Sequence, residues 1–407
     1  MKILIANKYF YRKGGSEQSM FKIASLFESK GHKVAFFSMH HPENIKSANN
    51  NNCFISNIDY NAKSPFYRQI QSAINIIYNR EANLLFGKQI DEFKPDIIQS
   101  HNIYHQISPS IYRVAKKHQI PVFQFLHDYK VACPVYTLLS NGKVCNGQCR
   151  NNRYYWCALN KCNGNSFGKS LINTLEMYVH NVFPNYYGMV DLFVSPSQFL
   201  AQKVRSMGFR PHRIVTLPHF ADTKDMQPIY AWKSNEIVYF GRLSKEKGLK
   251  TLITAVKGIN VLLRIIGSGP LQEELLGYVK RGNIRNVQFI PHLPHNELLQ
   301  YLSNCMFTIL PSEWYENCPN AAIESFICGK PVIGAKIGGI PELVIDHKTG
   351  LTFEPGNADD LRKKIVQLSS DPEMIVSFGK NAREFVEKEL NAEKYYNKFM
   401  QEIHSIL

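Results

Sequence analysis

Two carboxylates eight positions apart, Glu316 and Glu324, stand in the stretch of this chain with the clearest chemical potential, Pro311 to Ser325. Between them Pro319 suits a first helical turn, because its missing N–H is one the helix could not have used. A helix that starts there leaves Glu316 in the preceding loop and carries Glu324 about 7 Å along the axis. Its unpaired N–H groups form a seat for phosphate. A nucleotide diphosphate sugar laid across it would present sugar hydroxyls to Glu316 and ribose hydroxyls to Glu324. Two cations, Arg242 and Lys247, follow another strand and suit the diphosphate, one as a planar fork and one as a point charge. On their own they read more readily as solvated loop cations. Gly14-Gly15 follows the first strand and opens a helix, where glycine lets backbone N–H groups approach a phosphate; it is also a common turn. The Gly-x-Gly-x-x-Gly dinucleotide fingerprint is absent from these turns.

The elements that must position these residues alternate. In the C-terminal half, strands at 237–240, 261–266, 287–290, 307–310 and 331–333 are separated by helices at 248–256, 271–279, 297–302 and 321–327. In the N-terminal half, strands at 2–6, 33–37, 96–99, 121–126 and 192–194 accompany a helix at 16–28. Short apolar strands without polar alternation belong to parallel sheets buried on both faces. Two such arrays predict an α/β protein with two Rossmann-like domains, joined by a polar linker at 218–233. Residues 64–93 read as one long helix with an apolar stripe of Phe66, Ile70, Ile74, Ile77 and Leu84, among Arg68, Arg80 and Lys88. Burial of the stripe in its own domain is the main expectation, and an amphipathic membrane-facing helix the alternative.

The chain has 407 residues, more than one hydrophobic core usually holds. Its 44% apolar and 20% charged content is that of a globular protein. No run of eighteen apolar residues occurs. The N-terminus reads as a first strand rather than a signal peptide, so a cytoplasmic protein is expected. Residues 1–210 carry 25 Lys+Arg against 11 Asp+Glu, and residues 211–407 carry 23 against 22, so +14 of the formal +15 lies in the first half. A one-sided basic field favours an anionic partner, nucleic acid, an anionic membrane surface or an anionic substrate, over a lysine-rich surface spread for solubility.

Cys145, Cys149, Cys157 and Cys162 cluster in an insertion at 130–168, with Cys133 just inside its start. Four thiols in a loop without its own core suit a structural zinc. Spacings of four, eight and five differ from paired C-x2-C motifs, and buried free thiols are the alternative. Disulfides are not expected in a reducing compartment.

Taken together, Gly14-Gly15-x-Glu17, His127-Asp128, Gly241-Arg242-Leu243 with Lys247, Gly267-x-Gly269, Pro311-Ser312, Glu316 with Glu324, and Gly338-Gly339-x-Pro341-Glu342 resemble the retaining glycosyltransferases of family 4. The motifs extend over nearly the whole chain. The resemblance implies the GT-B architecture, two Rossmann-like domains facing across a cleft. It implies an N-terminal acceptor domain at 1–212, a donor domain at 213–386, and a C-terminal helix at 387–407 packing back on the first. It gives Glu316 a contact with the donor sugar, Glu324 one with the ribose, and Arg242 and Lys247 the diphosphate leaving group. Gly14, Gly15, Gly267, Asn317 and Asn320 join Glu324 as donor-binding residues. His127 falls near the reacting sugar, although alone it reads as well as a structural histidine at a strand end. Asp128 and His101 are candidates for the acceptor side.

No Asp-x-Asp element stands out, so no metal cofactor is expected for catalysis. The expected activity is transfer of a hexose or N-acetylhexosamine from a UDP-sugar or other nucleotide sugar in bacterial surface-polysaccharide synthesis. The acceptor would be a saccharide or a polyprenyl-diphosphate-linked saccharide, with the basic half peripheral on the inner face of an anionic membrane. Nucleic acid is not an expected partner. The rival readings are a sugar-nucleotide epimerase of the same fold and a non-catalytic glycan- or nucleic-acid-binding protein.

Overall fold

The computed structural model describes residues 1–46, 53–60, 73–140, 142–145, 147–223 and 226–407. It divides into two compact units. The first comprises Met1–Asn141, Cys145–Leu217 and Tyr396–Leu407; the second comprises Gly142–Val144 and Pro218–Tyr395.

The strands in chain order are β1 (Lys2–Ala6), β2 (Lys33–Phe37), β3 (Ile97–Ser100), β4 (Val122–Phe125), β5 (Leu139–Ser140), β6 (Lys143–Val144), β7 (Leu192–Ser195) and β8 (Ile214–Thr216). They continue with β9 (Glu236–Phe240), β10 (Leu262–Ile266), β11 (Val287–Ile290), β12 (Phe307–Leu310), β13 (Val332–Ala335) and β14 (Gly350–Phe353). The first unit holds a parallel sheet in the order β2-β1-β3-β4-β7-β8. The second holds a parallel sheet in the order β11-β10-β9-β12-β13-β14. Every residue of β3, β4, β7, β12 and β13 is buried, as unbroken apolar runs in a sheet covered on both faces must be. The expected strands all form, with ends shifted by a residue or two. β8 and β14 lay outside the strand list read from sequence, being an edge strand and one carrying glycine and threonine.

In each sheet the chain starts in the middle, builds outward to one edge, then returns and builds toward the other. In the first unit the reversal falls between the neighbours β1 and β3, and in the second between β9 and β12. Loops at the carboxyl ends of such strand pairs diverge and leave a crevice. Helices sit by their apolar spacing: Gly15–Ser29 buries Met20, Ile23, Ala24 and Phe27, and Leu249–Val256 buries Leu249, Leu252, Ile253 and Val256.

The single helix expected over 64–93 is not what forms. A helical segment at 73–77 stops, and Asn79, in extended conformation, starts a new helix at Arg80–Phe93 by accepting a hydrogen bond from the Ala82 N–H at 3.0 Å. The new helix buries Ala82, Phe86 and Ile90, while Ile74 and Leu84 face outward, so the expected stripe is not the buried one. Phe66, Arg68 and Ile70 of that stripe lie outside the described residues.

At the C-terminus, Pro372–Glu389 and Ala392–His404 are separate helices. Asn391 caps the second by accepting from the Lys394 N–H at 2.7 Å. From Tyr396 onward this helix belongs to the first unit, where buried Phe399 meets the rings of Phe27, Phe123 and Phe125 at 5.5–5.8 Å. The change of unit thus comes nine residues later than position 387.

Candidate functional site

The second unit gathers Arg242, Lys247, Glu316 and Asn317 at the carboxyl ends of β9 and β12. Gly241–Gly248 follows β9 and Pro311–Pro319 follows β12. Lys247 Nζ donates to Glu316 Oε1 at 2.5 Å, and Ser312 Oγ donates to the same oxygen at 2.7 Å. The Lys247 ammonium also lies 5.5 Å from the centroid of the Trp314 ring. Burial alone would raise the Glu316 carboxyl; the Lys247 charge, its hydrogen bond and that of Ser312 outweigh it and hold the group below its ordinary value. Glu316 is therefore a desolvated carboxylate with one charged partner. Arg242 is exposed at the end of β9, and its carbonyl accepts from the Tyr239 hydroxyl at 2.9 Å. Among the described residues its guanidinium forms no ion pair.

Close backbone approach keeps these loops in place. Gly248, at φ +66°, lets the Pro311 carbonyl come where a Cβ would lie only 1.8 Å away. Gly338, at φ +63°, does the same for Glu316, whose carbonyl would be 2.3 Å from a Cβ and accepts from the Gly339 N–H at 2.7 Å. The Gly-Gly-x-Pro-Glu turn thus holds the backbone of the residue expected to meet the sugar. Gly267, after β10, packs against the Gly241 carbonyl in the same cluster of strand ends.

The helix after Glu316 runs Asn320–Ile327, with Pro319 at the cap position rather than inside the first turn. Glu324 is its fifth residue, mostly buried, with Oε1 3.5 Å from Nδ1 of His295. Asn320 Oδ1 lies 2.8 Å from His219 Nδ1. Asn317 stands in the loop between Glu316 and this helix. Lys247 and Glu316 are thus brought into direct contact, whereas Glu324 meets His295.

In the first unit, Gly14 caps the helix Gly15–Ser29, so both glycines stand at the helix start that follows β1. His101 follows β3, and His127 and Asp128 follow β4. His101 is buried, stacks on Phe125 at 4.6 Å, and places Nδ1 2.8 Å from His127 Nε2. Asp128 accepts from the Tyr104 hydroxyl and from the Lys130 N–H at 2.9 Å. Burial raises its carboxyl, against those hydrogen bonds and the nearby charge of Lys8. The Lys8 ammonium is lowered by burial in turn.

Among the described residues no three His, Cys, Asp or Glu side chains are grouped to hold a metal ion. The helix Tyr155–Leu159 ends in a turn with Lys161 at φ +48°, Lys161 N–H to Ala158 O at 3.1 Å, and Cys162 N–H to Cys157 O at 3.1 Å. Cys162 Sγ lies 3.7 Å from Ser140 Oγ, and the neighbouring Cys157 thiol favours the thiolate of Cys162 while its own is disfavoured. The Cys145 sulfur instead accepts from the Gly147 N–H at 3.4 Å, and Cys149 is buried.

Several neighbours escaped sequence reasoning. Ser312 was visible in its motif, but its bond to Glu316 was not; His219 and His295 carried no spacing signal. Lys130 and Glu176 form a fully buried ion pair at 2.7 Å, with His105 at 3.3 Å and His180 at 3.8 Å from the same carboxylate. Their separation of 46 positions hides the pair in sequence.

With that geometry in view, known proteins supply the kinship. The family described as Glycosyltransferase Family 4 matches residues 13–225, and that described as Glycosyl transferases group 1 matches residues 222–385. An uncharacterized glycosyltransferase of Methanocaldococcus jannaschii is 32% identical over 151 residues, 37% of this chain and 43% of that protein. The capsular polysaccharide biosynthesis glycosyltransferase CapM of Staphylococcus aureus is 27% identical over 218 residues, 49% of this chain and 57% of CapM. The chain spans about half the length of these curated relatives. The structure of Anabaena HepE in complex with UDP-glucose resembles the whole chain, with a TM-score of 0.68 at 16% identity and complete coverage of both. Two parallel-sheet units of GT-B type, and family descriptions that together run from residue 13 to residue 385, make this chain a member of glycosyltransferase family 4.

Proposed function

We propose that this chain transfers a hexose or N-acetylhexosamine from a UDP-sugar to a saccharide or polyprenyl-diphosphate-linked acceptor in surface-polysaccharide synthesis, with retention of configuration and without a catalytic metal. The observation that carries the reading is the Lys247–Glu316 pair at the strand reversal of the second unit, with exposed Arg242 in the same loop after β9. In such a transfer the bond from the anomeric carbon to the diphosphate breaks and the diphosphate takes the electron pair. Arg242, Lys247 and the N–H groups opening the helix Asn320–Ile327 would stabilise that growing charge more than they stabilise the ground state. Glu316, kept ionised by Lys247, would accept hydrogen bonds from sugar hydroxyls, and Glu324 from the ribose. The acceptor oxygen bonds to the same face of the anomeric carbon, and its proton passes to a departing phosphate oxygen. His127, held by His101, would lie against the sugar, with Asp128 toward the acceptor.

HepE with UDP-glucose supports the uridine donor, and CapM supports the polysaccharide setting. The formal +14 of residues 1–210 supports an anionic acceptor. Thermal-shift titration against UDP-, GDP- and ADP-glucose tests the donor site. A ligand at about a hundred times its Kd adds about 2.7 kcal/mol of stability. UDP-glucose alone should raise Tm in the wild type, and Glu316→Ala and Arg242→Ala should abolish the rise. An undiminished shift in both variants would place the donor elsewhere.

A further inference from the structure

The helix Phe167–Asn181 is built inside out. The residues it buries are Ser170, Asn173, Thr174, Glu176, Met177 and His180, all polar except Met177. Each polar one finds at least one partner within the first unit. Ser170 Oγ accepts from the Asn163 N–H at 2.9 Å, Asn173 Nδ2 donates to Pro134 O at 2.9 Å, and Thr174 Oγ1 donates to Tyr154 O at 3.1 Å. Glu176 pairs with Lys130, and His180 Nε2 donates to Ile77 O at 3.1 Å. The outward face is the reverse. Phe167, Leu171 and Leu175, one helical turn apart, are 51%, 38% and 49% exposed, and the row continues into Val182 and Phe183, the latter 84% exposed. Ile172, Tyr178 and Val179 border it, half-buried, and no charged side chain interrupts it. Leu159, on the packed neighbouring helix, adds to the exposed apolar surface.

An apolar face of this length on a protein surface marks something that covers it. Charge says what. Between residues 147 and 190 the one acidic side chain is Glu176, sealed inside with Lys130, whereas Arg150, Arg153, Lys161 and Lys169 are all exposed. An apolar row flanked by unopposed cations matches the boundary of an anionic bilayer, where acyl chains receive the apolar side chains and headgroup phosphates the cations. A second copy of the same face would set like charges against each other.

We infer that the outward face of Phe167–Asn181, extended by Val182 and Phe183 and flanked by Arg150, Arg153, Lys161 and Lys169, is a docking surface for an anionic lipid membrane. This deepens the lipid-linked reading above by assigning the membrane contact to named residues, and its test is read separately from donor binding. The full chain is sedimented with phosphatidylcholine vesicles, with or without phosphatidylglycerol, at low and high salt. Vesicles containing phosphatidylglycerol should pellet the wild type, neutral vesicles should not, and salt should weaken the binding. Leu171→Gln/Leu175→Gln/Phe183→Gln should lower vesicle affinity by about tenfold or more. Lys161→Ala/Lys169→Ala should weaken binding and reduce its salt dependence. All replaced side chains point outward, and an unchanged thermal shift with UDP-glucose confirms that the variants are folded. Unchanged vesicle binding by the triple variant overturns the inference, as does absence of binding to either vesicle. So does a concentration-dependent dimer that the triple variant abolishes. Failure of every nucleotide sugar to bind, with vesicle binding intact, would sink the donor reading and leave the docking surface standing; circular dichroism then serves as the check on folding.

Discussion

Glu316 combines three circumstances that rarely meet in a structural residue: burial, one cation, and a place at a strand reversal. Its carboxyl is held below the ordinary value of 4.5, so the unfolded chain takes up its proton more readily than the folded one. The stability this supplies is complete above that ordinary value and is lost as pH falls through the lowered one. Glu316→Gln should remove this contribution, so urea midpoints measured from about pH 7 down to about pH 3 should fall less steeply in the variant. An identical slope would mean that Lys247 does not hold the carboxylate down. The types and spacing of Glu316, Lys247 and Arg242 were legible in the sequence. That Lys247 closes on Glu316 was not, because 69 positions separate them and only the adjacency of β9 and β12 brings them together.

The loops that carry these side chains are set by backbone contact, and glycine decides whether the contact is possible. Gly338→Ala would place a Cβ 2.3 Å from the Glu316 carbonyl oxygen in a left-handed conformation. The conformation alone costs roughly 1–2 kcal/mol, and displacing the Glu316 loop adds to it. Gly258 makes the control: its φ is +74°, but a Cβ there would meet nothing within 4 Å. Chemical denaturation should show Gly338→Ala losing about 2–4 kcal/mol, with a weakened UDP-glucose shift. Gly258→Ala should lose about 1 kcal/mol with the shift intact. Equal losses in the two would show that the approach to Glu316 carries no weight. At this scale the strand list was readable because buried parallel strands are short unbroken apolar runs. The break at Asn79 was not, because an apolar period runs through it and the cap is recognised only once the Ala82 N–H is seen to need a partner.

The two units differ in how they use charge. The second is formally near neutral over residues 211–407 and pairs its site carboxylate with a half-exposed lysine. The first is strongly basic and also encloses the Lys130–Glu176 pair with His105 and His180. Burial acts to raise Glu176, but Lys130 and His105 overcome it and hold the carboxyl down at about 2; burial lowers His180 to about 4. Both folded values lie below the ordinary 4.5 and 6.5, so both groups take up protons more readily when the chain unfolds. Stability therefore falls as pH drops from about 6.5 through about 4 and on toward about 2. Glu176→Gln leaves the Lys130 ammonium buried without its counterion and should cost about 3–5 kcal/mol. Hydrogen exchange should locate that loss in the first unit, and exchange unaltered there would show that the pair is not a stability element.

By itself the sequence determined the class of fold, the family motifs and the side chains able to grip a nucleotide sugar, because periodicity, turn chemistry and residue type are local properties. It also determined that the first half is basic. Only the tertiary structure decided which cations find carboxylates, which cysteines meet, and which side of a helix faces inward. The helix Phe167–Asn181 shows why. Phe167, Leu171 and Leu175 recur at four-residue spacing, and the ordinary rule would bury that side. The rule fails here because Lys130, Pro134, Tyr154 and Ile77, all distant in sequence, supply the partners that let the polar side turn inward.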